Sequence, residues 1–190
     1  MEYLIIVVSA IFINNIVLSQ FLGVCPFLGV SNRLSTSFGM TGAVIFVMTL
    51  ATIATYLINY FILQPYDIVF LQTISYILVI ASLVQMVEII LKKVSPALFQ
   101  ALGVYLPLIT TNCAILGVAI LVIQKEYNLL ESVVFAISHA LGFGLALILF
   151  SGIREHMDLA EVPPGIRGVP AALIVAGLLS LAFMGFTGIV

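Results

Sequence analysis

The sequence predicts an all-α integral membrane protein of six transmembrane helices, built as two inverted three-helix repeats with helices 1 and 4 interrupted near their cysteines. Three observations carry that prediction. Of the 190 residues, 63% are hydrophobic and only 7% are charged, whereas soluble proteins average about 45–50% apolar and about 25% charged. The few charges leave six uncharged runs between them, at 3–32, 34–66, 68–87, 94–124, 132–153 and 168–190. Finally, one short pattern around the only two cysteines recurs about half a chain apart.

Composition alone removes several classes of function. Fourteen charged side chains cannot cover a water-facing globule of 20.5 kDa, and the mean hydropathy is +1.32. A soluble domain, a disordered chain and a nucleic-acid binder (six Lys and Arg, net charge −2) are all excluded. The solvent for most of this surface is the lipid bilayer. No Gly-rich loop follows a strand pattern, so nucleotide or dinucleotide chemistry has no seat here.

Each uncharged run holds at least 20 residues, and about 20 apolar residues cross a hydrocarbon core of about 30 Å. The expected spans are Tyr3–Ser31, Gly39–Leu63, Ile68–Leu91, Ala97–Ile123, Leu129–Ile153 and Val169–Val190. A transmembrane barrel would instead show segments of about ten residues alternating in polarity, and none is present. The Met1-Glu2-Tyr3 start lacks the basic region of a cleaved signal, so the first segment is expected to stay in the mature protein. The whole chain, 1–190, reads as a single membrane domain with repeat halves of approximately 1–95 and 96–190.

Orientation follows from the positive residues. Arg33, Lys92, Lys93, Arg154 and Arg167 fall in loops one, three and five, and only Lys125 falls on the other side. The positive-inside rule then places loops one, three and five in the cytoplasm and both termini outside. Loop five, from Arg154 to Arg167, is expected to be the only sizeable polar stretch, with Glu155, His156, Asp158, Glu161 and a Pro163-Pro164-Gly165 turn.

The repeat is the most informative feature. Residues Cys25 to Val30 and Cys113 to Val118 both read C-x-x-L-G-V, at an offset of 88. Each half holds an odd number of helices, so the second copy must enter the membrane from the opposite side, with a pseudo-twofold axis in the membrane plane. Both cysteine-bearing runs are also too long: as unbroken helices they would extend about 45 Å. Breakers accompany each cysteine, Gly23 and Pro26 in the first run, Pro107 and the pair Thr110-Thr111 in the fourth. On straight helices the two sulfurs would lie about 17 Å apart along the membrane normal, too far to share a ligand. Folding back at the breakers brings both toward the midplane. The plain alternatives are that each cysteine is a small buried apolar side chain, its usual role, or that the two form a disulfide.

The motifs now show a resemblance. Asn14-Asn15-Ile16-Val17-Leu18-Ser19-Gln20-Phe21-Leu22-Gly23-Val24-Cys25-Pro26-Phe27-Leu28-Gly29-Val30-Ser31 and Leu106-Pro107-Leu108-Ile109-Thr110-Thr111-Asn112-Cys113-Ala114 resemble the two signatures of the A-type subunits of Rnf electron transport complexes. The likeness covers the whole chain, and the E-type subunits of sodium-pumping NADH:quinone reductases look similar throughout. The resemblance implies a membrane subunit, not catalytic alone, of a ferredoxin:NAD oxidoreductase that moves Na⁺ or H⁺ across a bacterial-type plasma membrane. It implies pairing with a homologous E-type subunit of inverted topology, beside further subunits carrying flavins and iron–sulfur clusters. It also implies an intramembrane iron–sulfur centre, [2Fe-2S] in type, ligated by two cysteines from each of the pair. That agrees with the chemistry: such centres are normally held by four thiolates, this chain supplies Cys25 and Cys113, and soft thiolates suit iron far better than Na⁺.

Other intramembrane polar residues have two readings each. Thr110, Thr111 and Asn112 precede Cys113, where they either donate to cluster sulfurs or re-satisfy a broken backbone. Asn14 and Asn15 either pack across helices or line a water path. His139 is rare at such depth and marks either an ion or proton route or an ordinary interhelical hydrogen bond. Glu88 lies one turn before Lys92 and reads as its snorkelling partner at the membrane edge, or as a group on the ion path. A secondary transporter also uses inverted repeats and broken helices, and a structural anchor for other subunits is the third class. Paired cysteines at the breaks separate the electron carrier from both.

Overall fold

Helix propagates through the apolar runs and stops where asparagine, glycine and threonine cluster, so the cysteine-bearing segments fold differently from the rest. The computed structural model describes residues 2–66, 69–94, 106–159 and 168–188. α1 (Glu2–Val8) runs on into a π-helical stretch, Ser9–Ile13, and α2 (Val24–Val30) follows a non-helical break. α3 (Leu34–Ile58) is continued by a second π-helical stretch, Asn59–Leu63, and a turn at Gln64–Tyr66; α4 is Gln72–Val94. The second half holds α5 (Leu106–Thr110), α6 (Cys113–Gln124), α7 (Leu129–Leu159) and α8 (Val169–Met184), the last ending in a 3₁₀ turn at Gly185–Gly188. The described residues contain no strand.

Both halves therefore present the same order: a broken helix, a long helix, then a shorter one. The two long helices, α3 and α7, make the most extensive contact among the described residues. Between lipid-facing helices no hydrophobic force operates, so close packing has to bring them together. Small residues on α7 permit it: Ala136, Ala140 and Ala146 are fully buried, alongside Met40, Val44 and Met48 of α3. α7 is the most buried of the long apolar helices and α4 the least, so α7 forms the central post and α4 an edge.

Among the described residues, four helical stretches are long and apolar enough to cross a membrane, Leu34–Leu63, Gln72–Ile90, Pro107–Gln124 and Leu129–Leu159, against the six expected. The first and last segments fall short, as Tyr3–Ile13 and Val169–Met184. The first is cut by its break; the last leaves α-helical geometry at Gly185. Several bounds also move. α3 begins at Leu34 instead of Gly39: no proline interrupts Leu34 to Gly39, and the Ser37 N–H already donates to the Arg33 carbonyl at 3.1 Å. The Ser37 and Thr41 hydroxyls also donate to carbonyls four residues back. α4 continues through Lys92 and Lys93, whose charges complement a helix C-terminus. Arg154, Glu155, His156 and Asp158 are not loop residues: α7 carries them to Leu159, since no proline lies between Leu129 and Pro163. Glu161, the Pro163-Pro164-Gly165 turn and the Ala97–Tyr105 part of the fourth expected span lie outside the described residues.

The breaks are not made by proline. Pro26 is the third residue of α2 and Pro107 the second of α5, first-turn positions where the missing N–H costs nothing. The first break runs from Asn14 to Gly23 and is organised by Asn15, which is fully buried. Its Nδ2 donates to the Ile11 carbonyl at 3.1 Å and the Gly142 carbonyl of α7 at 2.8 Å, while its Oδ1 accepts from Val17 N at 3.1 Å and Leu18 N at 3.4 Å. Ser180 of α8 donates to the Leu18 carbonyl at 3.0 Å. Non-helical backbone at membrane depth survives only when protein groups satisfy it in this way. Asn15→Leu keeps the branched shape and removes all four bonds. The detergent-solubilised variant should lose about 3 kcal/mol or more of stability, read by thermal or denaturant unfolding; an unshifted transition would show that Asn15 does not organise the break.

Candidate functional site

Each cysteine follows a break and sits in the first turn of the helix beyond it. Cys25 is the second residue of α2, and Cys113 is the first of α6. Both are free thiols, Cys25 exposed and Cys113 half-buried. The break ahead of Cys113 is short, two residues long, Thr111 and Asn112. The Thr111 hydroxyl donates to the Pro107 carbonyl at 2.8 Å, and Asn112 caps α6 by accepting from Ala114 N at 3.0 Å. Asn112 thus satisfies a backbone donor that the interruption frees, whereas the Pro107 carbonyl also accepts from Thr111 N at 3.0 Å.

The two segments meet. The backbone N–H of Gly23 donates to Cys113 Sγ at 2.9 Å, joining residues 90 apart in sequence. Gly23 occupies the left-handed region at φ +81°, where side chains other than glycine are strained. A Cβ there would also lie 2.9 Å from Phe143 Cε2, 3.0 Å from Ala114 Cβ and 3.3 Å from Asn112 Oδ1. Conformation and space therefore both require glycine. The neighbouring Phe21 also takes a positive φ, +55°, and stays exposed.

α2, which carries Cys25, is pinned against α7. The Phe27 and Phe150 rings stack with centroids 4.3 Å apart. One turn further along α7, Arg154 Nη1 donates to the Leu28 carbonyl at 2.8 Å and to Ser31 Oγ at 3.0 Å. A cation on the last carbonyls of a helix satisfies unpaired acceptors and complements the dipole. Sequence reasoning reads Arg154 as a topological marker only. The usable signal is its spacing of four from Phe150 within a stretch that holds no proline.

Beside Cys113 lies a mostly apolar cavity of about 290 Å³ between α4 and the α5–α6 junction, lined by Ile77, Ile80, Thr110, Thr111, Asn112 and Cys113. Asn112 is 3% exposed, and its Nδ2 has no hydrogen-bond partner among the described residues. An unpaired buried amide is costly and uncommon. Among the described residues no group of three or more His, Cys, Asp or Glu side chains gathers to hold a metal by itself.

The other candidates separate. Asn15 is fully engaged with backbone, as described above. His139 is buried on α7 and its Nδ1 bonds the Phe135 carbonyl at 3.1 Å; with Asn14 it lines a second, more polar cavity. Glu88 is half-buried on α4, one turn before Lys92, and lines neither cavity.

These features define a class: an all-helical, multi-pass membrane protein whose two broken, cysteine-bearing segments touch through Gly23 and Cys113. The chain belongs to the Rnf-Nqr family, whose model, described as "Rnf-Nqr subunit, membrane protein", matches residues 3–190. Its relatives include the A-type subunit of the Na⁺-translocating ferredoxin:NAD⁺ oxidoreductase complex of Acetobacterium woodii, 57% identical over 99% of this chain and 98% of that protein. The A-type subunits of the ion-translocating oxidoreductase complexes of Syntrophotalea carbinolica and Serratia proteamaculans are 56% and 55% identical, over 98% and 100% of this chain and 97% and 98% of their own lengths.

Proposed function

We propose that this chain is the A-type membrane subunit of an ion-translocating ferredoxin:NAD oxidoreductase complex, and that Cys25 and Cys113 supply two of the four thiolates of an intramembrane [2Fe-2S] centre. A homologous E-type subunit of inverted topology completes the set, within a complex whose other subunits carry flavins and further clusters. When bound, the centre relays single electrons across the membrane, coupled to movement of Na⁺ or H⁺. One observation carries the reading: the Gly23 N–H bond to Cys113 Sγ brings both cysteine-bearing segments to one place, while Cys25 stays exposed for a partner.

The donor set suits such a centre. Two thiols are half of the usual four, and the sequence holds no third cysteine, so the other two thiolates would come from a second chain. Hydrogen bonds to cluster sulfur help set its potential, and Gly23 N–H is already so placed. The orphaned Asn112 Nδ2 is a second donor, satisfied once a sulfur acceptor is present. The N-terminus of α6 favours negative charge at Cys113. Arg154 and the Phe27–Phe150 stack hold α2 so that Cys25 keeps its place at the surface.

The matching order of elements in the two halves supports an inverted repeat. The Lys/Arg bias supports external termini, with loops one, three and five in the cytoplasm. The names of the relatives favour this reading over a transporter or a passive anchor. Expressed alone, the chain should retain little iron. Co-expressed with an E-type subunit, the pair should carry a centre visible by absorption and electron paramagnetic resonance. A full complement of cluster on the isolated chain would overturn shared ligation.

A further inference from the structure

The polar cavity that holds His139 lies apart from the cysteine site and is unexplained by it. It encloses about 360 Å³ between α1, the first break, the end of α6 and the start of α7, and Ser9, Asn14, Gln20, Lys125 and His139 contribute its polar groups. We propose that it binds the headgroup of an anionic phospholipid, a phosphodiester carrying a hydroxyl-bearing substituent such as glycerol.

The lining chemistry selects the ligand. Among the described residues no carboxylate lines the cavity. Glu126 lines a separate cavity with Tyr56 and Asn59, and Glu131 accepts from Asn128 N at 3.0 Å. The Lys125 ammonium is held over two aromatic rings, 5.1 Å from the Phe135 centroid and 5.7 Å from that of Tyr127. The described lining therefore carries one fixed positive charge, which repels cations and attracts a phosphate. Asn14 Nδ2 donates to Ser9 Oγ at 3.0 Å, so the Ser9 hydroxyl hydrogen is free to donate, as is the Gln20 amide. Acceptors sit in the same cavity. A carbonyl cannot donate, so His139 Nδ1 carries the hydrogen that meets the Phe135 oxygen and Nε2 remains an acceptor. Donors for phosphate oxygens and an acceptor for a hydroxyl match a glycerol headgroup; a choline headgroup offers no such hydrogen.

Position points the same way. Lys125 lies at the turn where α6 ends and α7 begins, the level at which lipid phosphates sit. The Phe135 ring beneath the Lys125 ammonium lies beside that of His139, centroids 4.1 Å apart, so the charge and the acceptor share one small cavity. Beside the cavity, α1 exposes Leu4, Ile5 and Val8, an apolar face along which acyl chains can lie. Pockets with apolar walls and a few converging polar groups are the usual form of a small-molecule site.

The test is lipid retention by the full-length chain in nanodiscs, read by native mass spectrometry and by thermal unfolding, with phosphatidylglycerol against phosphatidylcholine. Wild type should prefer phosphatidylglycerol, and Lys125→Gln should weaken that preference about fivefold, the usual worth of one lysine beside an anionic surface. Gln20→Leu should weaken it as well, although every charge remains. Equal retention by wild type and both variants would overturn the site. Loss in Lys125→Gln with none in Gln20→Leu would reduce it to ordinary attraction between an interfacial lysine and lipid. Protection by free glycerol phosphate equal to that by the lipid would replace the lipid with a soluble anion.

Discussion

In a complex assembled with its E-type partner, serine at either Cys25 or Cys113 should abolish or spectroscopically alter the intramembrane centre and bring ferredoxin-dependent NAD reduction to background. A hydroxyl of the same shape keeps the packing but is a poor, hard donor to iron. Structure alone should hardly notice the change. Cys25 is exposed, and Cys113 Sγ accepts one hydrogen bond that a serine oxygen can also accept. Each variant should therefore assemble and unfold within about 1 kcal/mol of wild type. That separation of activity from stability distinguishes ligands from the small buried apolar side chains that free cysteines usually are. A full-intensity centre with normal turnover in the doubly substituted chain would refute the ligand assignment and leave a structural anchor as the surviving reading.

How much of this was legible in the sequence differs from element to element. The long spans follow from hydropathy because, in lipid, an apolar run satisfies its own backbone and needs little else. Their ends do not, because charge ends an apolar run without ending a helix: Lys92, Lys93 and Arg154 all continue helices that hydropathy alone stops short. The presence of breaks beside both cysteines is readable from excess length, but their makers are not. Pro26 and Pro107, the obvious candidates, start helices. The first break is held by Asn15 against a carbonyl 127 residues away and by Ser180 of α8, contacts that exist only once the halves have packed. The sequence marks Gly23 as a breaker yet cannot show that its N–H meets Cys113, because a backbone donor has no residue identity to read.

That bond carries the second large effect. Gly23→Ala should shift the one-electron potential of the assembled centre negative by about 60 mV, which is about 1.4 kcal/mol for one electron, and should destabilise the chain as well. The added Cβ enters a left-handed conformation, which costs about 1–2 kcal/mol, and it meets Phe143, Ala114 and Asn112 at 2.9, 3.0 and 3.3 Å. Phe143 and Ala114 are fully buried, so the turn itself has to yield, and the N–H withdraws from the sulfur. An N–H donor stabilises the more negative, reduced state, and losing it therefore makes the centre harder to reduce. Loss of packing alone predicts a lower unfolding temperature with an unchanged potential. Potentiometric titration of the co-expressed pair, followed by electron paramagnetic resonance, separates the two outcomes. An unmoved midpoint in a destabilised but fully loaded variant would show that Gly23 shapes the turn without tuning the centre.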